Sequence, residues 1–194
     1  MENLKKEKKL DRRTKYTKNI IKDALLKMVK KKPFEKITVT EICKMCEINR
    51  GTFYIHYCDL YDVLDDLLDE MFQETSSMFS HLNLINDKKN KECTYPLCKM
   101  IQENPKYSDL LLNDSLSSYI IDKMISLQKD EYISNLVNLY NLTYTQAEAI
   151  LIFQINGCLA INKHMYKNNE KWCEIQNTID NFIKCGLKNY DESN

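Results

Sequence analysis

An all-helical fold is what this 194-residue sequence predicts, and three observations predict it. Only three Gly and three Pro punctuate the chain, and two of the prolines, Pro96 and Pro105, lie close together. Long stretches draw on Leu, Ile, Met, Lys, Glu and Asn without a break, and apolar side chains recur along them at spacings of three and four, the period of one helix face. No run of about eighteen apolar residues is present, and the lysine-rich first thirty residues lack the apolar core of an export signal. The chain is therefore expected in the cytoplasm, with no membrane partner.

Residues 1–11 carry lysines and little apolar surface, so they are expected to form a disordered basic arm. From Tyr16 the pattern changes: Ile20, Ile21, Ala24, Leu25, Met28 and Val29 share a helical face, Lys18, Lys22, Lys27 and Lys30 take other positions, and Pro33 ends the helix. Thr38-Val39-Thr40-Glu41 reads as a capping box that starts a second helix at Val39, which runs to about Met45. Asn49 is a second N-cap, ahead of Arg50-Gly51-Thr52-Phe53-Tyr54-Ile55-His56-Tyr57. Two short helices thus meet at a tight turn. Asp59 caps a longer helix with the stripe Leu60, Val63, Leu64, Leu67, Leu68, Met71, Phe72, Met78, Phe79 and Leu82, expected to link two packed bodies.

Residues 86–93 read as a solvated connection, with helices expected near 94–103, 106–112 and 115–139 and a break at Asn104-Pro105. Thr143 or Thr145 then caps a segment over 147–167 whose Ile150, Leu151, Phe153, Ile155, Cys158, Leu159, Ala160, Ile161 and Met165 spread over more than one face, so this helix needs two partners. A last helix over about 170–188 carries Trp172, Ile175, Ile179, Phe182, Ile183 and Leu187, and Gly186 with the polar tail is expected to end it.

The neutral total charge conceals a division: residues 1–57 hold 16 Lys/Arg against 7 Asp/Glu, and residues 58–194 hold 12 against 21. A net +9 on a short first segment is the footprint of a polyanion partner, because neutralising phosphates releases condensed counterions. A lysine-rich solvated face gives the same count, so charge alone does not decide. The eight cysteines (Cys43, Cys46, Cys58, Cys93, Cys98, Cys158, Cys173 and Cys185) are expected to be free thiols. Cys43 and Cys46 form a C-x-x-C near His56 and Cys58, which invites a thiol- or metal-dependent sensor or enzyme as a rival reading. A lone C-x-x-C is a weak signal, and His81 and His164 stand isolated, so no metal site, cofactor or catalytic group is expected.

The stretch Phe34-Glu35-Lys36-Ile37-Thr38-Val39-Thr40-Glu41-Ile42 followed by Ile48-Asn49-Arg50-Gly51-Thr52-Phe53-Tyr54-Ile55-His56-Tyr57 resembles the DNA-binding domain of TetR-family transcriptional regulators, over about residues 15–68. The resemblance implies an N-terminal three-helix helix-turn-helix domain (12–58) linked by a long helix to a C-terminal helical ligand-binding and dimerisation domain (59–194). It further implies a homodimer that represses transcription from double-stranded operator DNA and answers to a small-molecule inducer; an activator on the same fold is the alternative. Thr38, Thr40, Asn49, Arg50, Gly51, Thr52, Tyr54, His56 and Tyr57 are the expected DNA-binding residues. Of these, Arg50 faces a base or phosphate, Tyr54 and His56 donate to phosphates, and Phe53 and Ile48 anchor the recognition helix. Lys5, Lys6, Lys8, Lys9, Arg12, Arg13 and Lys15 can add contacts from the arm.

By the same resemblance Cys43 and Cys46 occupy small core positions. The family usually has Gly where Glu47 stands, so a left-handed backbone conformation there falls to a non-glycine residue. It commonly has Lys at the start of the fourth helix, where this chain has Cys58 and Leu60 around Asp59. Phe72, Phe79, Tyr95, Met100, Tyr107, Tyr119 and Met124 are candidates to line a ligand pocket. The expected dimer interface is Ile155, Gly157, Cys158 and Ile161 with Ile179, Phe182 and Ile183 of the last helix.

Overall fold

A computed structural model describes residues 2–80, 101, 105–165 and 172–191, and every regular element among them is helical. They are α1 (Glu2–Val29), α2 (Val39–Met45), α3 (Arg50–His56), α4 (Leu60–Ser80), α5 (Pro105–Leu111), α6 (Ser117–Tyr140), α7 (Tyr144–Met165) and α8 (Trp172–Asp191), with short 3-10 turns at Phe34–Lys36 and Asp114–Leu116. The chain divides into two compact units, Met1–Glu74 and Thr75–Asn194. Among the described residues no helix is long and apolar enough to cross a membrane. The helix expected near 94–103, apart from the buried Ile101, lies outside the described residues.

In the first unit, α1 starts at Glu2, so helical backbone runs through the residues whose composition suggests a disordered arm. The segment has neither Gly nor Pro, and extending a helix already nucleated by Ile21, Ala24 and Leu25 avoids the cost of a new nucleus. The core of this unit holds Ile21, Leu25, Ile42, Phe53, Val63, Leu64, Leu67 and Leu68, all fully buried. The buried part of the α4 stripe, from Leu60 to Phe72, belongs to the first unit, which runs to Glu74.

Local sequence sets the two short helices. Thr38 Oγ1 accepts from the Glu41 amide at 3.3 Å and Glu41 Oε2 accepts from the Thr38 amide at 3.0 Å, the reciprocal capping box the sequence predicts. Asn49 Oδ1 accepts from the Thr52 amide at 2.7 Å and starts α3. Between them the amide of Ile48 donates to the Cys43 carbonyl at 3.0 Å and that of Glu47 to Lys44 at 3.4 Å, a Schellman stop for α2. Such a stop requires a left-handed residue, and Glu47 takes it with φ 55°.

In the second unit α6 and α7 pack as an antiparallel hairpin, with Asn141 in the left-handed conformation (φ 52°) closing α6. Thr143, not Thr145, opens α7: its amide donates to Gln146 Oε1 at 2.8 Å and its Oγ1 accepts from the Gln146 amide at 3.3 Å. Ile120, Met124, Ile133 and Leu136 of α6 and Ala147, Leu151 and Ile155 of α7 are buried. α8 packs on α6 and continues through Gly186 to Asp191, past the end expected at that glycine. A helical glycine costs only about 1 kcal/mol, and burial of the adjacent Leu187 offsets it.

Holding a Cβ-bearing residue left-handed costs about 1–2 kcal/mol, and glycine's added chain entropy returns about half of that. Glu47→Gly is therefore expected to stabilise the first unit by up to about 1 kcal/mol. Urea unfolding checks this; an unchanged or lower midpoint means that the turn stores no such strain.

Candidate nucleic-acid interface

A seven-residue helix cannot hold its own orientation in water, so α3 depends on what it is pinned to. Phe53 is completely buried and meets the ring of Tyr57 at 6.0 Å between centroids. Tyr57 caps α3 with extended backbone (φ −146°, ψ 138°), and its hydroxyl donates to Asp66 Oδ2 of α4 at 2.6 Å. The same oxygen takes Lys18 of α1 at 3.3 Å, with Lys22 at 3.8 Å. Lys22, buried to 7% exposure despite its place among the polar positions of α1, also pairs with Glu70.

Tyr57 is thus removed from the expected set of DNA contacts: it is buried and its donor is committed. Extended backbone at the end of α3 takes its side chain off the exposed face of the helix. Burial and the bond to Asp66 push its phenol up, so it remains a donor at neutral pH. Burial pushes the Asp66 carboxyl up, but the bond from Tyr57 and the charges of Lys22 and Lys18 outweigh it and hold the group below its usual range.

What α3 leaves outward is Arg50, Gly51, Tyr54 and Ile55, with Thr52 and His56 half-buried. Arg50 lies one turn before Tyr54: its Nη2 donates to the Tyr54 hydroxyl at 3.3 Å, and its guanidinium lies 5.8 Å from that ring's centroid. The tyrosine oxygen accepts here, which leaves its own proton for an outside acceptor. Asn49 is exposed, with Oδ1 accepting from the Thr52 hydroxyl (3.0 Å) as well as its amide. Thr38 and Thr40 are exposed too, but the Thr38 hydroxyl donates to Glu41 at 2.9 Å. Lys32 contacts both Glu41 oxygens at 2.7 Å and, with Thr38, holds that carboxyl below its usual range. Arg12 and Arg13 of α1 line an open groove of about 520 Å³ with Tyr16, Cys46 and Glu47, which brings two cations to the turn between α2 and α3.

The C-x-x-C does not resemble a reactive pair. Burial raises both thiols, Cys46 to about 11, where the neighbouring Cys43 adds to the effect, and Cys46 Sγ donates to the Ile20 carbonyl at 3.2 Å. Protonated thiols neither attack nor ligate. Among the described residues no group of three His, Cys, Asp or Glu converges on a common point.

The residues expected to line a ligand pocket fall in both units or outside the described residues. Tyr107 and Met124 are buried and Tyr119 half-buried, Phe72 is buried in the first unit, and Tyr95, Met100 and the Phe79 side chain lie outside the described residues. Ile155, Cys158 and Ile183, expected at a dimer interface, are instead buried within the second unit, because the Leu151, Ile155 and Cys158 stripe of α7 is the one that packs. Gly157, Ile161 and Ile179 are half-buried, and Phe182 is exposed. Ile152 and Phe153 of α7, outside the expected interface set, are exposed apolar residues. On α3, Ile55, outside the expected set of DNA contacts, is exposed as well and lies four residues after Gly51. Asp66 had no local signal, since its partners are 9 to 48 residues away.

No model of a known protein family matches the chain. Two regulators of Bacillus subtilis (strain 168) are similar to it. The HTH-type transcriptional regulator YxbF is 24% identical over 97 residues, 48% of this chain and 26% of the relative. The HTH-type transcriptional regulator YuxN is 23% identical over 182 residues, 85% of this chain and 62% of the relative. The chain thus spans less than two thirds of the length of either relative.

Asp66 and Glu41 are held below their usual values in the folded unit. Their contribution to stability is full above the unfolded carboxylate range near pH 4 and is lost as pH falls through the folded values. Amide exchange in α3 should be flat from about pH 7 to 5 after correction for intrinsic rates, and protection should fall below about pH 4. Asp66→Asn should lower protection at neutral pH by about 2 kcal/mol and make the acid limb shallower. An acid limb as steep as that of the unaltered chain contradicts the assignment.

Proposed function

We propose that the chain is a sequence-specific DNA-binding transcriptional repressor of the TetR type, acting as a homodimer and released from its operator by a small ligand. The observation that carries this reading is the outward face of α3, where Arg50 and Tyr54 are paired one turn apart on a helix anchored by buried Phe53 and Tyr57. It belongs to a segment of net charge +9, which supplies the non-specific attraction to phosphate. The similarity to two HTH-type transcriptional regulators supports the same class. In this reading α3 enters the major groove, Arg50 addresses a base edge or adjacent phosphate, and Tyr54 and His56 hold the backbone.

A second copy is the occupant proposed for the exposed apolar side chains of α7 and α8. Phe153 and Phe182 are 63% and 67% exposed, and a Cβ at Gly157 would meet nothing within 4 Å, so a partner helix has room to approach there. Two heads related by a twofold axis read two half-sites about one helical turn apart. A ligand that prefers a dimer with differently spaced heads weakens operator binding by its difference in affinity for the two states.

Selection of bound duplexes from a random pool at about 150 mM salt tests the reading, since non-specific attraction is screened there. An inverted repeat is expected; recovery of no motif sinks the specific-regulator reading. On the selected duplex, Arg50→Ala with Tyr54→Phe should abolish specific binding while Cys43→Ser with Cys46→Ser retains it, and the reverse pattern favours a thiol-dependent sensor. Phe153→Asp with Phe182→Asp should turn a sedimenting dimer into a monomer, and an unchanged dimer places the interface elsewhere.

A further inference from the structure

Among the described residues Ile55 is the most exposed large apolar side chain, at 78%. A single exposed aliphatic residue usually needs no explanation. This one stands on a seven-residue helix whose other exposed side chains are Arg50 and Tyr54, within the basic segment. Helical side chains lean toward the N-terminus, so Ile55 covers the turn above its own, which is the position of Gly51, four residues earlier. Gly51 leaves that turn bare, and a Cβ there would meet Asn49 Oδ1, the cap of α3, at 3.2 Å. The Gly51–Ile55 strip is thus a small apolar surface set beside the polar Arg50–Tyr54 strip.

An aliphatic side chain has nothing to offer a phosphate. In the major groove of B-DNA the apolar group on a base edge is the C5 methyl of thymine. We propose that Ile55 is a specificity-determining residue that packs on a thymine methyl in each half-site, next to the pair addressed by Arg50. The proposal rests on the DNA-reading role argued above. It favours nucleic acid over a protein partner because the apolar surface is one side chain wide and is flanked by an arginine, with Arg12 and Arg13 beside the preceding turn.

The test uses the full chain and the duplex recovered by selection, with each thymine replaced in turn by deoxyuridine, which removes only the methyl. At one position per half-site the replacement should weaken binding about fourfold, the size of one methyl taken out of an apolar contact, and about tenfold or more when both half-sites carry it. Ile55→Ala, a change at an exposed position that leaves the fold intact, should weaken binding to the thymine duplex and make it indifferent to that uracil. If no thymine is sensitive, or if the penalty persists unchanged in Ile55→Ala, the assignment is overturned. If selection yields no motif at all, the failure lies one level lower, in the DNA-reading role itself.

Discussion

The contact on which the first unit turns is the hydrogen bond from Tyr57 to Asp66, joined by Lys18 from α1. It links the end of α3 to α1 and α4 through one carboxylate oxygen. Seven residues lack the length to persist as a helix alone, so the direction of α3 is set from outside: by Phe53 below it, by the Asn49 cap at its start, and by Tyr57 at its end. With those three fixed, Arg50, Tyr54 and Ile55 have only one direction left to face. Their exposure follows from the burial of their neighbours.

Two economies of sequence accompany this arrangement. The turn between α2 and α3 is closed by backbone hydrogen bonds at the cost of a left-handed Glu47, which lines the same groove as Arg12 and Arg13. The capping box at Thr38 consumes the threonine hydroxyl and leaves Glu41 paired with Lys32, so this carboxylate is neutralised from within the unit. The thiols of Cys43 and Cys46 fill space near α1 in protonated form, and the carbonyl that Cys46 satisfies is one of α1's own.

Much of this was legible in the sequence because it is local. The caps at Thr38, Asn49, Asp59 and Thr143 and the boundaries of α2 and α3 depend on neighbours three or four residues away. The strained turn at Glu47 could be expected only by comparison with glycine at that place in a similar sequence. What was not legible is long-range: the burial of Lys22, the role of Asp66 and the withdrawal of Tyr57 all follow from α1 lying against α4, which no spacing encodes. In α7, apolar residues on several faces predicted two partners but not which face serves which; the packed stripe turned out to contain Ile155 and Cys158, leaving Ile152 and Phe153 outward. The end of α8 lies past Gly186, the stop that local sequence predicts, because the buried Leu187 beyond it holds the helix together.

The central claim is that α3 is the element that meets DNA. Titration of the isotopically labelled full chain with the selected duplex, followed by NMR, tests it most directly. The account predicts that the largest shifts fall at Arg50, Gly51, Tyr54 and Ile55, with the side chains of Phe53 and Tyr57 keeping their environment. Shifts concentrated elsewhere, with α3 unmoved at saturation, would contradict it.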